Sequence, residues 1–503
     1  MLRFVGSPRQ TCDGWTRRDL LQVGGSSLLG LALGQALERR AAGEEVGEGL
    51  PGFGSAKSCI VLFLFGAAPQ HETFDPKPLA PAEIQGQLGA IPSVVPGTAL
   101  CEGLPRTAQV ADRLTIVRSM THPYPLHCVA YALSGMPTYT VDLETKPRDP
   151  AHWPYFGSIA DYFWSTRGSG ADGGEIPRQI GLPWVFNSQV DDLGLIAGPY
   201  AAFLGQQHEP VWAKFEGTPT KIAPKCRHEQ AKEYMDPYAG IAPGGRFVFD
   251  GTAALPDQVT MDRFDMRQRL LAQFDAVQGR IDRSARVADY SASQQRALSL
   301  LTSARVRAAL DVEREPIALR ERYGPTLFGQ SCLAARRLVE AGSRFVTVFW
   351  DAYGTYFSGG WDTHQNHYPR LTQYLLPGFD AGFAALIADL DERGLLEETL
   401  VLCFSEHGRT PQIDSKPVGA ARHHWSQVYS MAAAGAAVPR GAVVGRSDAI
   451  GGTVAETPVS PKDIQATAFH LLGIDPHATV RDRTQRPFPI AGDGAVVPPL
   501  VRG

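Results

Sequence analysis

The chain has 503 residues, of which 44% are hydrophobic and 20% are charged, and its formal net charge is −4. These values are typical of a globular protein with a large core, and the length predicts about two to four domains. The absence of a basic surplus argues against a nucleic-acid partner. The 52 glycines and 38 prolines indicate many loops, which favours an α/β or α+β frame over a helical bundle.

The N-terminus carries the pattern of an export signal. Arg17 and Arg18 precede a weakly apolar, glycine-rich stretch that ends at Leu37. Paired arginines before such a stretch are typical of the twin-arginine export route. A membrane anchor is the alternative interpretation, but the stretch is short and interrupted by glycines. We therefore predict that residues 1–43 are a cleaved signal, and that the mature protein is periplasmic or extracellular without stable membrane insertion.

The next part of the chain alternates predicted strands with polar loops. Apolar and β-branched residues predict strands over 59–65 and 114–118, and a shorter strand over 182–189. A loop rich in glycine and proline follows the first strand, and a histidine-containing loop and a short helix over 126–134 follow the second. We assign residues 57–204 to the first part of an α/β core.

A different pattern begins after this part of the core. Loops that contain lysine and proline lead into a charged region over 261–309, whose 3.6-residue periodicity predicts helices. We interpret residues 205–320 as a helical insertion or lid that is separate from the main sheet.

Helices and strands alternate through residues 321–503, the second part of the core. A helical pattern that ends at Gly342 leads into a predicted strand over 344–350. A long helical segment over 371–393 then precedes a strand over 399–404. This alternation predicts a mainly parallel sheet covered by helices on both faces, in which ligands bind at the carboxyl ends of the strands.

The histidines are not scattered evenly along the chain. Eight of the 13 fall in four short segments, each just after a predicted strand or in the loop beyond it. Carboxylates accompany them, and carboxylate with imidazole suits a divalent ion such as Zn²⁺ or Mn²⁺, whereas Ca²⁺ and Mg²⁺ prefer oxygen ligands. The segments contain His71 with Glu72 and Asp75; His122 and His127; Asp362, His364 and His367; and Glu406 and His407 with His423 and His424.

These residues also suggest a chemistry. There are enough candidate ligands for two metal ions, and two ions about 4 Å apart can clamp an ester oxyanion and activate a water or hydroxyl. Arg409 lies directly after the Glu-His-Gly step, where it can bind a phosphate or sulfate oxygen. Structural interpretations remain open: Asp362 as a turn residue, Asp75 as the start of a turn before proline, and His71 and His122 as ordinary loop residues.

A resemblance to a known family rests on the segments "RYGPTLFGQSCLAARRLVEAGSRFVTV", "GGWDTHQNHY", "ERGLLEETLVLCFSEHGRTP" and "RHHW". They resemble the exported family called domain of unknown function 1501, which is similar to the alkaline phosphatase/sulfatase superfamily. The likeness runs from about Lys57 to the C-terminus. It implies an alkaline-phosphatase-like three-layer α/β sandwich with a mainly parallel central sheet and a helical insertion.

The resemblance also implies a metal-binding set. In that superfamily, an aspartate and histidines after one strand, an acid–histidine pair after a later strand and a downstream histidine bind two ions. Zn²⁺ is the expected ion here, with Mn²⁺, Ca²⁺ and Mg²⁺ as alternatives. By position, one site comprises Asp362, His364 or His367, and His424, and the other comprises Glu406, His407 and either Glu72 or Asp75.

The usual nucleophile of that superfamily is missing from the expected position. Phosphatases and sulfatases use Ser, Thr or Cys at the start of a small-residue helix, which "PLHCVAYALSG" resembles, but the corresponding start is Pro125-Leu126. Thr121 lies before this point and Cys128 lies after it. His127 remains as a metal ligand or as the group that transfers a proton, with metal-bound water as the nucleophile.

We therefore predict an exported, metal-dependent hydrolase of phosphate or sulfate esters that acts on a small-molecule or polysaccharide substrate. The alternative is a non-catalytic envelope protein that keeps the fold, with or without a metal, as a binding module or scaffold. The missing nucleophile favours the scaffold, whereas the acid–histidine pair and Arg409 favour the enzyme.

Overall fold

A computed structural model describes residues 50–124, 126–136, 145–166, 176–224, 235–249, 303–356, 359–482 and 484–502. The chain divides into two units, Met1–Pro51 and Gly52–Gly503. The predicted export signal over 1–43 lies outside the described residues. Within the described residues, no helix combines the length and the apolarity needed to cross a bilayer.

Nine strands of the described residues form one sheet in the second unit. In chain order, the strands are β1 (Ser58–Leu64), β2 (Leu114–Met120), β3 (Gln179–Leu182), β4 (Val211–Glu216), β5 (Arg246–Phe249), β6 (Phe345–Trp350), β7 (Thr399–Phe404), β8 (Tyr429–Ala434) and β9 (Ala442–Val444). Across the sheet they lie in the order β9-β2-β8-β7-β1-β6-β3-β4-β5.

Most strand pairs are parallel. β1 lies at the centre and pairs in parallel with β6 and β7, so that Ile60 lies opposite both Val346 and Val401. Parallel pairing continues from β6 to β3 and from β3 to β4, and β9 is parallel to β2. The exceptions are β8, which is antiparallel to its neighbours β2 and β7, and β5, which is antiparallel to β4.

The two faces of the sheet are covered by different helices. Ile60 and Leu62 of β1 pack in a buried cluster with residues of the helices Leu327–Glu340 and Leu376–Glu392. Val61 and Phe63, which point the other way, pack with the helices Phe156–Thr166 and Pro461–Leu471. Burying each such side chain contributes about 1.5–3 kcal/mol. This arrangement confirms the predicted α/β class, with a mainly parallel sheet between two layers of helices.

The α-helices of the described residues have the following bounds. They are α1 (Ala82–Gln85), α2 (Pro105–Gln109), α3 (Val129–Ser134), α4 (Phe156–Thr166), α5 (Ala304–Leu310), α6 (Ile317–Tyr323), α7 (Leu327–Glu340), α8 (His367–Arg370), α9 (Leu376–Glu392) and α10 (Pro461–Leu471). Four two-stranded ribbons accompany the main sheet: Ala90–Pro92 with Ala99–Cys101, Gly408–Arg409 with His424–Trp425, Arg446–Ser447 with Val454–Glu456, and Thr479–Arg481 with Pro487–Pro489.

The region over 205–320 differs from the sequence-based interpretation in one respect. Its strands β4 and β5 extend the edge of the main sheet, so this part of the region is not separate from that sheet. The physical reason is that β4 is buried on both faces: Ala213 and Phe215 pack in the cluster on one side of the sheet, and Trp212 packs in the cluster on the other. Of the helical region predicted over 261–309, the part over 261–302 lies outside the described residues.

Candidate metal centre

Loops at the carboxyl ends of three adjacent parallel strands meet at one edge of the sheet. Gly66 follows β1, Asp362 lies in the loop beyond β6, and Glu406 comes two residues after β7. Gly66 has a φ of +97°, and a Cβ atom at this position would lie 2.4 Å from the backbone nitrogen of Asp362. Only glycine tolerates both this backbone conformation and this close approach. The loops after β1 and β6 are therefore in direct contact.

A two-stranded ribbon returns a histidine to the same edge. Gly408–Arg409 pairs antiparallel with His424–Trp425, and Arg409 lies opposite His424 in the register. The backbone nitrogen of Thr410 also donates to the carbonyl of His423 over 2.8 Å. The ribbon thus fixes His424 beside the loop that follows β7.

Four histidines and one aspartate converge here as two overlapping triads. The possible ligand atoms of His127, His407 and His424 all lie within 4.8 Å of one another, and so do those of Asp362, His364 and His424. Ligand atoms of a tetrahedral zinc site lie about 3.3 Å apart, because the bonds are about 2.0–2.1 Å long. Asp362 Oδ1 lies 3.0 Å from His364 Nε2, 3.3 Å from His424 Nε2 and 3.4 Å from His127 Nε2. The spacing therefore fits a metal ion.

Hydrogen bonds orient two of these histidines toward the centre. His407 Nδ1 lies 2.8 Å from the carbonyl oxygen of Gly408, which can only accept, so Nδ1 carries the proton and Nε2 keeps a lone pair. His407 Nε2 is buried and has no hydrogen-bond partner among the residues that the structure describes. His127 Nδ1 donates to Glu406 Oε1 over 2.6 Å. A carboxylate or carbonyl behind the imidazole is the usual support of a metal-binding histidine.

The electrostatics of the centre favour neutral histidines beside an ionised aspartate. Burial would raise the pKa of Asp362, but Arg409 and His127 hold that pKa well below its usual range. Burial, reinforced by the neighbouring His127 and His424, lowers the pKa of His407 well below its ordinary value. Burial also lowers the pKa of His424 to about 4. His407 and His424 are therefore neutral at pH 7, which is the form that binds metals.

His127 behaves differently because it lies between two carboxylates. Burial would lower the pKa of His127, but Asp362 and Glu406 outweigh this effect and raise the pKa to about 9. In the metal-free protein, a protonated His127 thus neutralises part of the carboxylate charge. A metal ion at His127 Nε2 would replace that proton.

Arg409 is fully buried next to Asp362. Its guanidinium donates to Asp362 Oδ1 and to the carbonyl of Gly66, to the carbonyl of Ala67 over 3.1 Å, and to the carbonyl of Arg422 over 3.1 Å. A buried charge needs such partners to offset its lost hydration. The contacts therefore support a role in neutralising Asp362 and not the predicted role in binding a phosphate or sulfate oxygen.

Glu72 and His367 form a separate buried pair. Glu72 Oε2 lies 3.5 Å from His367 Nε2, and within the described part of the chain neither atom has a hydrogen-bond partner. Arg422 donates to Glu72 Oε1 from Nε over 2.9 Å and from Nη2 over 2.7 Å. Burial would raise the pKa of Glu72, but Arg422 and His367 hold it well below its usual range. The structure thus brings His364, and not His367, to Asp362.

Two other candidate residues lie apart from the triads. The carboxylate of Asp75 accepts from Lys77 Nζ over 2.8 Å and from the hydroxyl of Ser447, so it belongs to a different polar cluster. The backbone nitrogen of Thr121 donates to the carbonyl of Val459 over 2.8 Å, and no hydrogen bond among the described residues joins Thr121 to a triad.

His71 and His122 also have structural roles. His71 Nε2 lies 2.8 Å from the carbonyl oxygen of Ile450, and His122 Nε2 lies 2.7 Å from that of Glu406. Both contacts tie loops together at the edge of the sheet. Pro125, where the nucleophile was expected, lies outside the described residues, while the side chain of Leu126 is exposed.

His423 is a functional candidate that sequence reasoning did not assign. Its Nδ1 lies 2.8 Å from His364 Nδ1, and its Nε2 lies 3.3 Å from Asp414 Oδ2. His364 therefore contacts His424 through one ring nitrogen and His423 through the other. The two adjacent histidines of "RHHW" were the available signal.

Comparisons with known proteins give a family and a set of similar folds. The family described as "Protein of unknown function (DUF1501)" matches residues 56–501. No curated protein matches the chain. Similar solved structures include a sulfatase from Pseudoalteromonas sp., with 12% identity, coverage of 87% of this chain and 71% of that chain, and a TM-score of 0.34.

Two further similar structures are phosphonate monoester hydrolases. The one from Silicibacter pomeroyi has 9% identity, coverage of 88% of this chain and 76% of that chain, and a TM-score of 0.36. The one from Agrobacterium radiobacter has 12% identity, coverage of 88% of this chain and 77% of that chain, and a TM-score of 0.37. Overlaps at this level do not assign an activity.

Proposed function

We propose a hydrolytic function for this chain, which belongs to the DUF1501 family of proteins of unknown function. The proposed activity is the metal-dependent hydrolysis of phosphate or sulfate esters, with a small-molecule or polysaccharide ester as substrate. We further propose that the protein is exported by the twin-arginine route and acts in the periplasm or outside the cell, as the N-terminal sequence predicts.

One observation carries the proposal of a metal centre. The atom His407 Nε2 is buried and has no hydrogen-bond partner among the described residues. It lies in a triad with His127 and His424. Leaving such an atom unsatisfied costs about 1–3 kcal/mol, which binding of a cation would recover. The donor set of imidazole with carboxylate suits Zn²⁺, and Mn²⁺ is the next choice.

The residues around the centre supply support and charge. A bound divalent ion would polarise an ester oxygen as a Lewis acid. Glu406 holds the His127 ring through Nδ1, and the Gly408 carbonyl holds the His407 ring in the same way. Arg409 keeps Asp362 ionised by pairing with it.

Proton exchange with solvent has a route on the exposed side. His364 contacts Asp362, and its side chain is 30% exposed. Its Nδ1 lies within hydrogen-bond distance of His423 Nδ1, and His423 Nε2 lies within the same range of Asp414. A proton at His364 Nε2 can therefore pass to solvent along two imidazoles. Because Pro125 and Leu126 occupy the position of the usual nucleophile, we propose water as the nucleophile.

The test is hydrolysis by the purified protein with Zn²⁺ or Mn²⁺. A panel of p-nitrophenyl phosphate, bis(p-nitrophenyl) phosphate and p-nitrophenyl sulfate distinguishes the three ester classes. We expect turnover that a chelator abolishes and Zn²⁺ restores, and that His407→Ala lowers at least about 100-fold. The exposed His477 provides a matched control, because His477→Ala removes an imidazole outside the triads.

A non-catalytic binding module is the second candidate. It is favoured by the burial of Arg409, which leaves the centre without the anion-binding arginine that the sequence predicted. Stoichiometric metal binding without hydrolysis of any ester in the panel would support this candidate over the enzyme.

A further inference from the structure

We propose that the centre takes one divalent ion and that Arg409 occupies the place of a second cation. The inference rests on the proposed function, because it requires that the triads bind metal at all. It differs from the two ions that the family resemblance implies, and it assigns the single ion to the triad of His127, His407 and His424.

The first argument is the position of the guanidinium. Arg409 donates from Nη2 to Asp362 Oδ1, and its Nη1 lies 3.5 Å from His364 Nε2. It thus touches two of the three ligand atoms of the triad formed by Asp362, His364 and His424. An ion in that triad would lie against a positive charge at close range, where repulsion is strong because water is excluded.

The second argument is that Arg409 cannot easily withdraw. Its side chain has no exposed surface, and its backbone is held by Gln70 Oε1 over 2.9 Å and by the ribbon. Arg422, whose carbonyl accepts from Arg409, is itself held by Glu72. Moving the guanidinium into solvent would break this network and leave Asp362 without its partner.

The third argument is the charge of the centre. Asp362 and Glu406 are the carboxylates that contact His127, whereas Glu72 is already paired with Arg422. Two divalent ions together with Arg409 would exceed the charge of these two carboxylates by three units. One ion leaves an excess of one, which a single bound anion can balance, and buried excess charge is strongly unfavourable.

The fourth argument concerns the shared ligand. His424 belongs to both triads, and one imidazole lone pair serves one ion. The triad of His127, His407 and His424 also contains His407 Nε2, a buried atom that has no hydrogen-bond partner among the described residues. It offers three protein ligands, which is the number that catalytic zinc sites use while leaving one position open for water or substrate.

Metal content after equilibrium dialysis against Zn²⁺ tests the inference. The purified full-length protein is first stripped with a chelator, and zinc per chain is then measured by elemental analysis. One ion per chain is expected. Two ions would overturn the inference and leave the proposed function intact, whereas no bound ion would overturn the proposed function itself.

Variants separate the two triads by zinc affinity, which is measured by competition with a chromophoric chelator. Removing a ligand by His407→Ala is expected to weaken binding at least about 100-fold, whereas His364→Ala is expected to change it by less than about threefold. An equal loss in both variants would overturn the assignment of the ion. His477→Ala is again the control.

Arg409 itself gives a further test. Arg409→Gln removes the charge that repels the ion and is expected to tighten zinc binding at least about tenfold, while Arg409→Lys keeps the charge and is expected to bind zinc within about threefold of wild type. If Arg409→Gln does not fold, as judged by circular dichroism, two other measurements still test the inference. They are the zinc content of the wild-type protein and the zinc affinity of His364→Ala. A folded Arg409→Gln protein that binds zinc no more tightly than wild type would overturn the role of Arg409.

Discussion

Glu406 accepts a hydrogen bond from His127 over 2.6 Å, although 279 positions separate the two residues in the sequence. The same carboxylate oxygen accepts from the backbone nitrogen of Gly66 over 2.8 Å. Glu406 belongs to neither triad, so its contact with His127 is its connection to the centre. This contact places it behind His127 as a support, while its second oxygen, Oε2, is buried and has no hydrogen-bond partner among the described residues.

This support predicts the effect of Glu406→Gln. The amide cannot hold the His127 imidazole as the carboxylate does, and loss of such a support typically weakens metal binding about 10–100-fold. Zinc competition with a chromophoric chelator measures the change. Glu398→Gln, on the partly exposed partner of Lys57, is the control. Unchanged affinity in Glu406→Gln would contradict the supporting role.

Chelation should lower the thermal stability of the protein. A ligand present at 100 times its dissociation constant stabilises the folded state by about 2.7 kcal/mol, because it binds only that state. We expect Zn²⁺ to raise the Tm of the stripped protein in a calorimetric scan, and His407→Ala to abolish the increase. A similar increase in the His407→Ala protein would place the bound zinc elsewhere.

The exposed chain from His364 to Asp414 predicts a kinetic effect without a folding effect. His423 is 46% exposed, so His423→Ala should change the free energy of unfolding by less than about 0.5 kcal/mol. If His423 passes protons from His364, turnover in the ester assay should fall about tenfold, and added imidazole should restore it. Turnover equal to wild type across pH 6–9 would rule the relay out.

The pair formed by Glu72 and Arg422 predicts a large effect on stability. Both side chains are buried, so Glu72→Gln leaves a buried guanidinium without its counter-ion, which costs about 3–5 kcal/mol. Denaturation in urea measures this loss. The double variant Glu72→Gln/Arg422→Met should lose less than the two single variants together, because they remove the same interaction. Additive losses would show that the pair is not coupled.

Asp351 predicts a dependence of stability on pH. Burial raises its pKa to about 7, although the backbone nitrogen of Asn187 and the indole of Trp184 donate to it. The folded-state pKa thus lies above the unfolded value of about 3.9, so this stabilising contribution is complete below pH 4 and is lost as the pH rises through 7. The loss is on the order of 4 kcal/mol.

The matching variant is Asp351→Asn, which does not titrate. Relative to wild type, its free energy of unfolding should improve steadily between pH 4 and pH 7. Asp311→Asn, at an exposed position, should run parallel to wild type over the same range. If the Asp351→Asn protein also runs parallel to wild type, Asp351 does not titrate in this interval.

The centre of the sheet was predictable because the sequences of its strands are themselves typical of buried strands. The runs at 59–65 and 400–404 are apolar without interruption, and both form strands that pair in parallel with each other and are buried on two faces. The position of the site followed from the same pattern, because parallel strands end at one edge of the sheet. β4 was missed, since its alternating burial is weaker in sequence than a continuous apolar run.

The arrangement within the site was not predictable from the sequence. His364 and His367 are three residues apart, and the start of α8 at His367 decides which of them turns toward Asp362. Arg409 was expected to bind an anion because it follows the acid–histidine pair. Its real partner, Asp362, is 47 positions away, and no local pattern encodes that contact.

Both backbone polar groups of Gly66 serve the centre: its N–H bonds to Glu406 and its carbonyl bonds to Arg409. A methyl group at this position would collide with the loop that carries Asp362. One backbone position therefore underlies the carboxylate that supports His127 and the arginine that pairs with Asp362. Across the family, we expect members with a glycine at this position to keep the whole centre, and members with another residue there to have lost the centre.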